Sequence, residues 1–185
     1  MNLWRILSKM KNNIALLAVD IQKDATELKN SLFKNTENFI GNVNEVIEMF
    51  SKNNGHIFYI THELENNFLN KLIYQNRFIK GTEGSKIDSR IKILSNNFYT
   101  KNVGDSLTNV RLERELKRLE ISEIYIVGLD AKYCVFNTGK GAVKRGYTAY
   151  VLKYCVLTKN MNNLEKLWNN YTKSKITVIQ RKDLY

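Results

Sequence analysis

The sequence predicts a three-layer α/β/α fold with a mostly parallel central sheet of about six strands, a Rossmann-like arrangement carried by one domain over residues 1–185. Two observations predict it. Short apolar, β-favouring runs alternate with segments whose apolar residues recur at helical spacing, and such alternation implies right-handed crossovers between parallel strands covered on both faces. Asp20, Lys101 and Cys134 each follow the end of a different expected strand. Sites in parallel sheets form at the carboxyl ends of the strands, so one sheet edge should carry all three.

The elements follow in order. The opening MNLWRILSKMKNN puts Leu3, Ile6, Leu7 and Met10 on one helical face with Arg5, Lys9 and Lys11 elsewhere. It predicts a short lead-in helix over 1–12, packed on the domain or on a second subunit, because a secretory signal would need a longer apolar core and a small-residue cleavage site. Ile14 to Val19 is an apolar run of strand length, and Asp20 ends it. A carboxylate there is badly placed for packing and well placed for a site. Residues 21 to 35 read as a polar connecting loop. Phe39, Ile40, Val43, Val46, Ile47 and Phe50 mark a helix from Thr36, its N-cap, to about Lys52, with Asn53-Asn54-Gly55 as the stop. His56 to Thr61 gives a second strand.

Residues 62 to 90 yield only a short helix near Asn67 to Phe78 and the turn-rich Gly81-Thr82-Glu83-Gly84. Irregular stretches of this length build binding sites or surface excursions. A third strand is expected around Asn97 to Thr100, and a helix from Asp105 to Glu120 on Leu107, Val110, Leu112, Leu116 and Leu119. Ile124, Tyr125, Ile126 and Val127 form the central strand, which Gly128 ends at a sharp turn. A helix follows from Lys132 to Arg145 with Cys134 in its first turn. A fifth strand (Tyr147 to Leu152), a helix (Asn162 to Tyr171) and a last strand (Lys175 to Ile179) complete the chain.

Composition narrows the function. Hydrophobic content of 43% with 25% charged residues is that of an ordinary soluble globular protein. No apolar run is long enough for a transmembrane helix, so no membrane partner is expected. The two cysteines, Cys134 and Cys155, form neither a CxxC pair nor a metal framework, and free thiols point to the cytoplasm. The net charge of +11 is spread along the chain and interleaved with acids, as in RLERELKR at 111 to 118. Dispersed charge reads as a solvated surface, not a nucleic-acid stripe.

The chemistry lies in the three edge residues. Unpaired N–H groups at a helix start favour a thiolate, which makes Cys134 a candidate nucleophile. Asp20 is the candidate base and Lys101 the cation that stabilises the resulting negative charge. Backbone N–H groups in the turn Leu129 to Cys134 would hold the oxyanion formed on attack at a carbonyl. Each residue alone has a plainer reading: a buried small hydrophobe for Cys134, a helix cap or salt-bridge partner for Asp20, a surface charge for Lys101. Other chemistries fare worse. His56 and His62 lie at opposite ends of one expected strand, so a Cys-His pair could draw only on His62, and GxSxG and GxGxxG are absent. Thr138-Gly139-Lys140-Gly141 lacks Walker spacing and falls inside an expected helix. Cys155 reads as structural.

Four stretches together resemble the isochorismatase-like cysteine hydrolases, the superfamily that includes nicotinamidases and several amidases: LLAVDIQKD at 16 to 24, GTEGSKI at 81 to 87, KNVGDSLTNVRLERELKRLEI at 101 to 121 and IYIVGLDAKYCVFNTGKGAVKRGY at 124 to 147. The resemblance implies Asp20 as general base, Lys101 as the charge-stabilising residue and Cys134 as the nucleophile. It implies a cis peptide between Leu129 and Asp130, and an oxyanion hole from the N–H groups of Asp130 and Cys134. It places Gln22 and Asp24 in supporting or substrate-facing roles, with His62 a further substrate-binding candidate, and it implies a homo-oligomer, which sizing in solution tests.

Departures from the pattern matter too. Nicotinamidases carry a metal on an Asp-x-His pattern after the second strand and a later His. Here the stretch is Thr61-His62-Glu63-Leu64-Glu65 and no His follows, so no metal and no other cofactor is expected, although His62, Glu63 and Glu65 could supply an irregular set. Ala25 stands where the family often has an aromatic beside the substrate, and Tyr154 replaces a common Asp after the fifth strand. The leading expectation is a cysteine hydrolase of a small amide or related C–N bond acting through a thioester. Isochorismatase-type ether cleavage is the alternative chemistry. A non-catalytic binding or regulatory protein using its basic surface is the alternative class, recognised by salt-sensitive retention on nucleic acid.

Overall fold

The computed structural model describes residues 13–27, 32–33, 35–159 and 162–181. The expected lead-in helix over 1–12 lies outside the described residues. Six parallel strands form one sheet in the order β3-β2-β1-β4-β5-β6, with β1 at Ile14–Val19, β2 at His56–His62, β3 at Phe98–Lys101, β4 at Glu123–Leu129, β5 at Thr148–Leu157 and β6 at Ile176–Ile179. The order runs outward in both directions from the β1–β4 pair, so the chain switches direction there. Asp20 and Cys134 follow these two strands, and the crevice of a parallel sheet opens at such a switch.

Strand alternation divides the core. Leu16 and Ala18 of β1 with Tyr125 and Val127 of β4 face one layer, filled by Phe39, Val43, Val46, Ile47 and Phe50 of α2 (Thr36–Lys52). Ala15, Leu17 and Val19 with Ile124 and Ile126 face the other. That side is covered by α4 (Val110–Arg118), α5 (Cys134–Lys144) and α6 (Leu164–Lys173) through Leu112, Leu116, Val135, Leu167 and Tyr171. All six residues of β1 are buried, which is why IALLAV shows no polar alternation.

Four expectations are corrected. The start of the supposed polar loop at 21–35 folds into a short helix, α1 (Lys23–Thr26), whose Asp24, Ala25 and Thr26 are buried. The helix near 67–78 contracts to α3 (Phe68–Ile73), capped by the Asn67 side chain accepting from the Asn70 N–H. The helix expected from Asp105 starts at Val110 behind a 3₁₀ turn over Ser106–Thr108, because Asn109 caps it by accepting from the N–H groups of Arg111 and Leu112. β5 runs on to Leu157, so Tyr154 and Cys155 lie within the strand; its pairing with β4 slips, Ile126 facing Val151 but Gly128 facing Val156.

Gly128 is required where it stands. Its φ is +121°, and a Cβ there would lie 2.0 Å from the carbonyl oxygen of Val19 across the β1–β4 pair. Gly128→Ala is expected to destabilise the protein by about 4 kcal/mol or more, adding backbone strain to a clash with an immovable main chain. For a chain of this size that lowers the thermal midpoint by about 10 °C or more, which calorimetry reads.

Candidate active site

Three carboxyl ends meet above β1, β3 and β4. Asp20 leaves β1 with φ +56°, a left-handed conformation held by its N–H donating to the Ile60 carbonyl at 2.8 Å. Lys101 ends β3, and its Nζ donates to Asp20 Oδ2 at 2.7 Å. The lysine side chain is fully buried, a position a charge holds only when paired. Asp20 Oδ1 is buried without a hydrogen-bond partner. Cys134 opens α5 half-buried, and ligand atoms of Asp20, His62 and Cys134 all lie within 4.8 Å of one another. The sequence-derived Asp20, Lys101 and Cys134 are therefore brought together as expected from the sheet edge.

The turn before Cys134 is tied down on all sides. The Leu129–Asp130 peptide is cis. The Asp130 carboxylate accepts the N–H of Lys132 at 2.8 Å and of Lys159 at 3.2 Å, and its carbonyl accepts those of Tyr133 and Val135. Ala131 donates to Leu157 O, and Tyr171 Oη donates to Ala131 O at 2.6 Å. Among the described residues the amides of Asp130 and Cys134 have no acceptor.

Burial raises the Cys134 thiol to about 12, the Asp20 carboxylate adds to the rise, and Lys101 only partly opposes it. This reverses the expected thiolate preference: desolvation and a neighbouring negative charge both favour the neutral thiol. Burial alone would lower the Lys101 ammonium, but the charge of Asp20 and the proximity of Cys134 outweigh it and the pKa rises. His62 is pushed down by burial and by Lys101, so it is neutral near pH 7. Its Nδ1 sits 3.4 Å from Lys101 Nζ, and its ring meets Phe78 edge-on at 5.9 Å.

A cavity of about 450 Å³ opens over these groups. Asp20, His62, Cys134 and Asn137 supply polar lining, and Phe33, Tyr74, Phe78 and Tyr133 apolar lining, with Ala25 leaving room and Lys159 also on the wall. The sequence reading missed this aromatic wall, since Phe33, Tyr74 and Phe78 come from stretches without periodicity.

Gln22 and Asp24 do not line the cavity. The Gln22 amide, 0% exposed, pairs with both main-chain groups of His62 at 2.8 and 2.9 Å and donates to Ser85 O at 2.7 Å, so it acts as a surrogate strand partner at the end of β2. Asp24 accepts the Phe78 N–H at 2.6 Å and packs against Gly84, where a Cβ would collide with its carboxylate. Gln22→Leu would strand three main-chain groups and is expected to cost about 3 kcal/mol in urea unfolding, with misplacement of His62.

The residues after β2 do not fit a nicotinamidase-type metal. Thr61 and Glu63 line a separate groove, Glu65 lies 3.8 Å from Lys80, and His62 alone turns toward Asp20 and Cys134. Strand alternation sends neighbouring donors to opposite faces.

An all-parallel sheet between helices, with its polar cluster at the carboxyl edge beside the switch point, defines a three-layer α/β/α protein with a candidate site at its topological switch. The chain belongs to the isochorismatase family, matching the Isochorismatase domain over residues 14–183. It is 26% identical over 144 residues to YrdC, an uncharacterized isochorismatase family protein of Bacillus subtilis (strain 168), covering 77% of this chain and 73% of that protein. Its fold is that of N-carbamoylsarcosine amidase from Thermoplasma acidophilum (TM-score 0.80, 20% identity, 91% and 96% of the two chains). Nicotinamidase PncA from Bacillus subtilis superposes with a TM-score of 0.79 at 18% identity, over 90% and 98% of the chains. Among the described residues no helix is long and apolar enough to cross a membrane.

Proposed function

We propose that this isochorismatase-family hydrolase cleaves a small amide or related C–N bond through a thioester on Cys134. The observation that carries the reading is the Asp20–Lys101 pair at 2.7 Å beside a half-buried thiol on the floor of a cavity. The amidase and nicotinamidase identities of similarly folded proteins support the reaction class.

In this mechanism the Cys134 thiol gives its proton to Asp20 as the sulfur attacks the carbonyl carbon. The carbonyl π pair moves to oxygen, which the N–H groups of Asp130 and Cys134 receive. Collapse expels the amine or ammonia, which takes the proton from Asp20 and leaves a thioester. Water then attacks with Asp20 again accepting its proton, and the thiolate leaves and is reprotonated. Lys101 keeps Asp20 oriented between steps through the hydrogen bond from its Nζ to Asp20 Oδ2. The raised thiol pKa fits a proton that departs during attack, not before it.

The aromatic wall supports an amide with a flat or apolar acyl group. The test is ammonia release from a panel of aromatic and aliphatic primary amides, with acid quench and mass analysis of the Cys134 peptide. An acyl adduct on that peptide together with ammonia release is the expected result. Ammonia release with no acyl adduct under single-turnover conditions, or no turnover of any panel member, would overturn the proposal.

A further inference from the structure

We propose that Asp20, His62 and Cys134 form a binding site for a thiophilic divalent cation of the zinc class, and that such an ion reversibly blocks the nucleophile. Three donors of different type, a carboxylate oxygen, an imidazole nitrogen and a thiol sulfur, lie within 4.8 Å of one another. At zinc bond lengths, tetrahedral ligand atoms sit about 3.5 Å apart, so side-chain shifts of about 1 Å complete the set. A fourth position faces the cavity and would be left to water.

A second observation points to a ligand here. Asp20 Oδ1 has no hydrogen-bond partner, although the Asp20 side chain is only 8% exposed and its other oxygen is committed to Lys101. A buried carboxylate oxygen without a donor is costly unless something visits it. His62 is also prepared, its main chain clamped by Gln22.

Lys101 sets the selectivity. Its ammonium repels any cation entering the cluster, so binding requires a metal that gains a strong bond to sulfur. Magnesium and calcium, which take oxygen donors, gain none. The step balances simply: Cys134–SH and M²⁺ give Cys134–S–M⁺ and one proton released to solvent. The sulfur electron pair and the Asp20 oxygen are then both engaged. Metal binding does not depend on the hydrolase reading, but the inhibitory consequence rests on it.

Titrating the purified protein with cobalt(II) chloride tests the site without a substrate. A near-ultraviolet thiolate-to-cobalt charge-transfer band should saturate at one ion per chain, release one proton, and be abolished by zinc but not by magnesium. Cys134→Ala should lose the band and Cys155→Ala keep it. His62→Ala should weaken binding by more than about 100-fold, beyond the usual loss when only an outer partner is removed. Lys101→Gln should bind more tightly than wild type although it removes a residue of the catalytic cluster. Absence of the band, its persistence in Cys134→Ala, or Lys101→Gln binding no more tightly would overturn the proposal. Should the band form while no amide is turned over, the hydrolase reading fails and the metal site stands. Undiminished turnover at saturating zinc would overturn the inhibitory half.

Discussion

Cys134→Ala is expected to reduce amide hydrolysis by on the order of 10⁶-fold, the scale on which a triad hydrolase loses rate when its nucleophile is removed. The fold should survive. Cys134 is half-buried at the first position of α5, its sulfur faces an existing cavity, and removing one atom there creates little new void. Urea unfolding should therefore shift by no more than about 1 kcal/mol while ammonia release disappears. Cys134→Ser should be nearly as inactive, because a hydroxyl is harder still to deprotonate in a site that already resists ionising a thiol. Cys155, fully buried in β5 with its pKa well above normal, is the internal control, and its alanine variant should retain turnover. A Cys134→Ala protein that hydrolyses within about tenfold of wild type would mean that Asp20 activates water directly, and the covalent mechanism would fall.

What the sequence made legible is what period and position encode. β1, β2 and β4 were readable because buried parallel strands are continuous apolar runs, and α2 because six buried residues recur at helical spacing. Asp20 and Lys101 were readable because each is a charge at the end of an expected strand, and Cys134 because it falls in the first turn of the helix that follows the central strand. The floor of the site followed from topology, since parallel strands put all three ends on one edge.

The wall was not legible, for a physical reason. Gln22, Thr26, Ser85 and Asp88 are polar in sequence yet buried in the fold, and polarity read locally predicts exposure. Their partners lie far along the chain: Gln22 pairs with His62 and Ser85, and Thr26 Oγ1 donates to Asp88 Oδ2 at 2.5 Å. Arg90 closes the network, donating to Asp88 and to the Thr26 carbonyl. The 62–90 stretch is thus ordered by long-range hydrogen bonds to α1 instead of by its own periodicity. Hydrogen-bond pairing of that kind leaves no signature at spacing 2 or 3.6, so Phe78 and its place in the cavity could be found only once the chain was folded.

Asp20→Asn should change two rates in opposite directions, slowing hydrolysis while speeding alkylation of Cys134. The sign follows from the causes of the thiol shift. Burial and the Asp20 charge raise the Cys134 pKa to about 12, and Lys101 lowers it. Asparagine removes the second cause and leaves Lys101 in place without its counter-charge. The pKa therefore falls, more thiolate is present at a given pH, and alkylation at pH 8 accelerates by up to about tenfold for each unit of the fall, less the lower nucleophilicity of a less basic sulfur. In wild type the alkylation rate should still be climbing above pH 9, since the thiolate fraction at pH 8 is only about 10⁻⁴ for a thiol of that pKa. The asparagine variant should level off at lower pH. Turnover should nevertheless drop by about 10² to 10⁴-fold, because an amide cannot accept the thiol proton during attack or the water proton afterwards. Lys101→Ala should slow alkylation, since the charge opposing the rise is gone. Peptide mass analysis separates Cys134 from the buried Cys155 in both experiments. If alkylation slows in Asp20→Asn, or if the wild-type rate levels off below pH 8.5, then Asp20 and Lys101 hold a preformed thiolate, and proton transfer concerted with attack is the wrong account of this site.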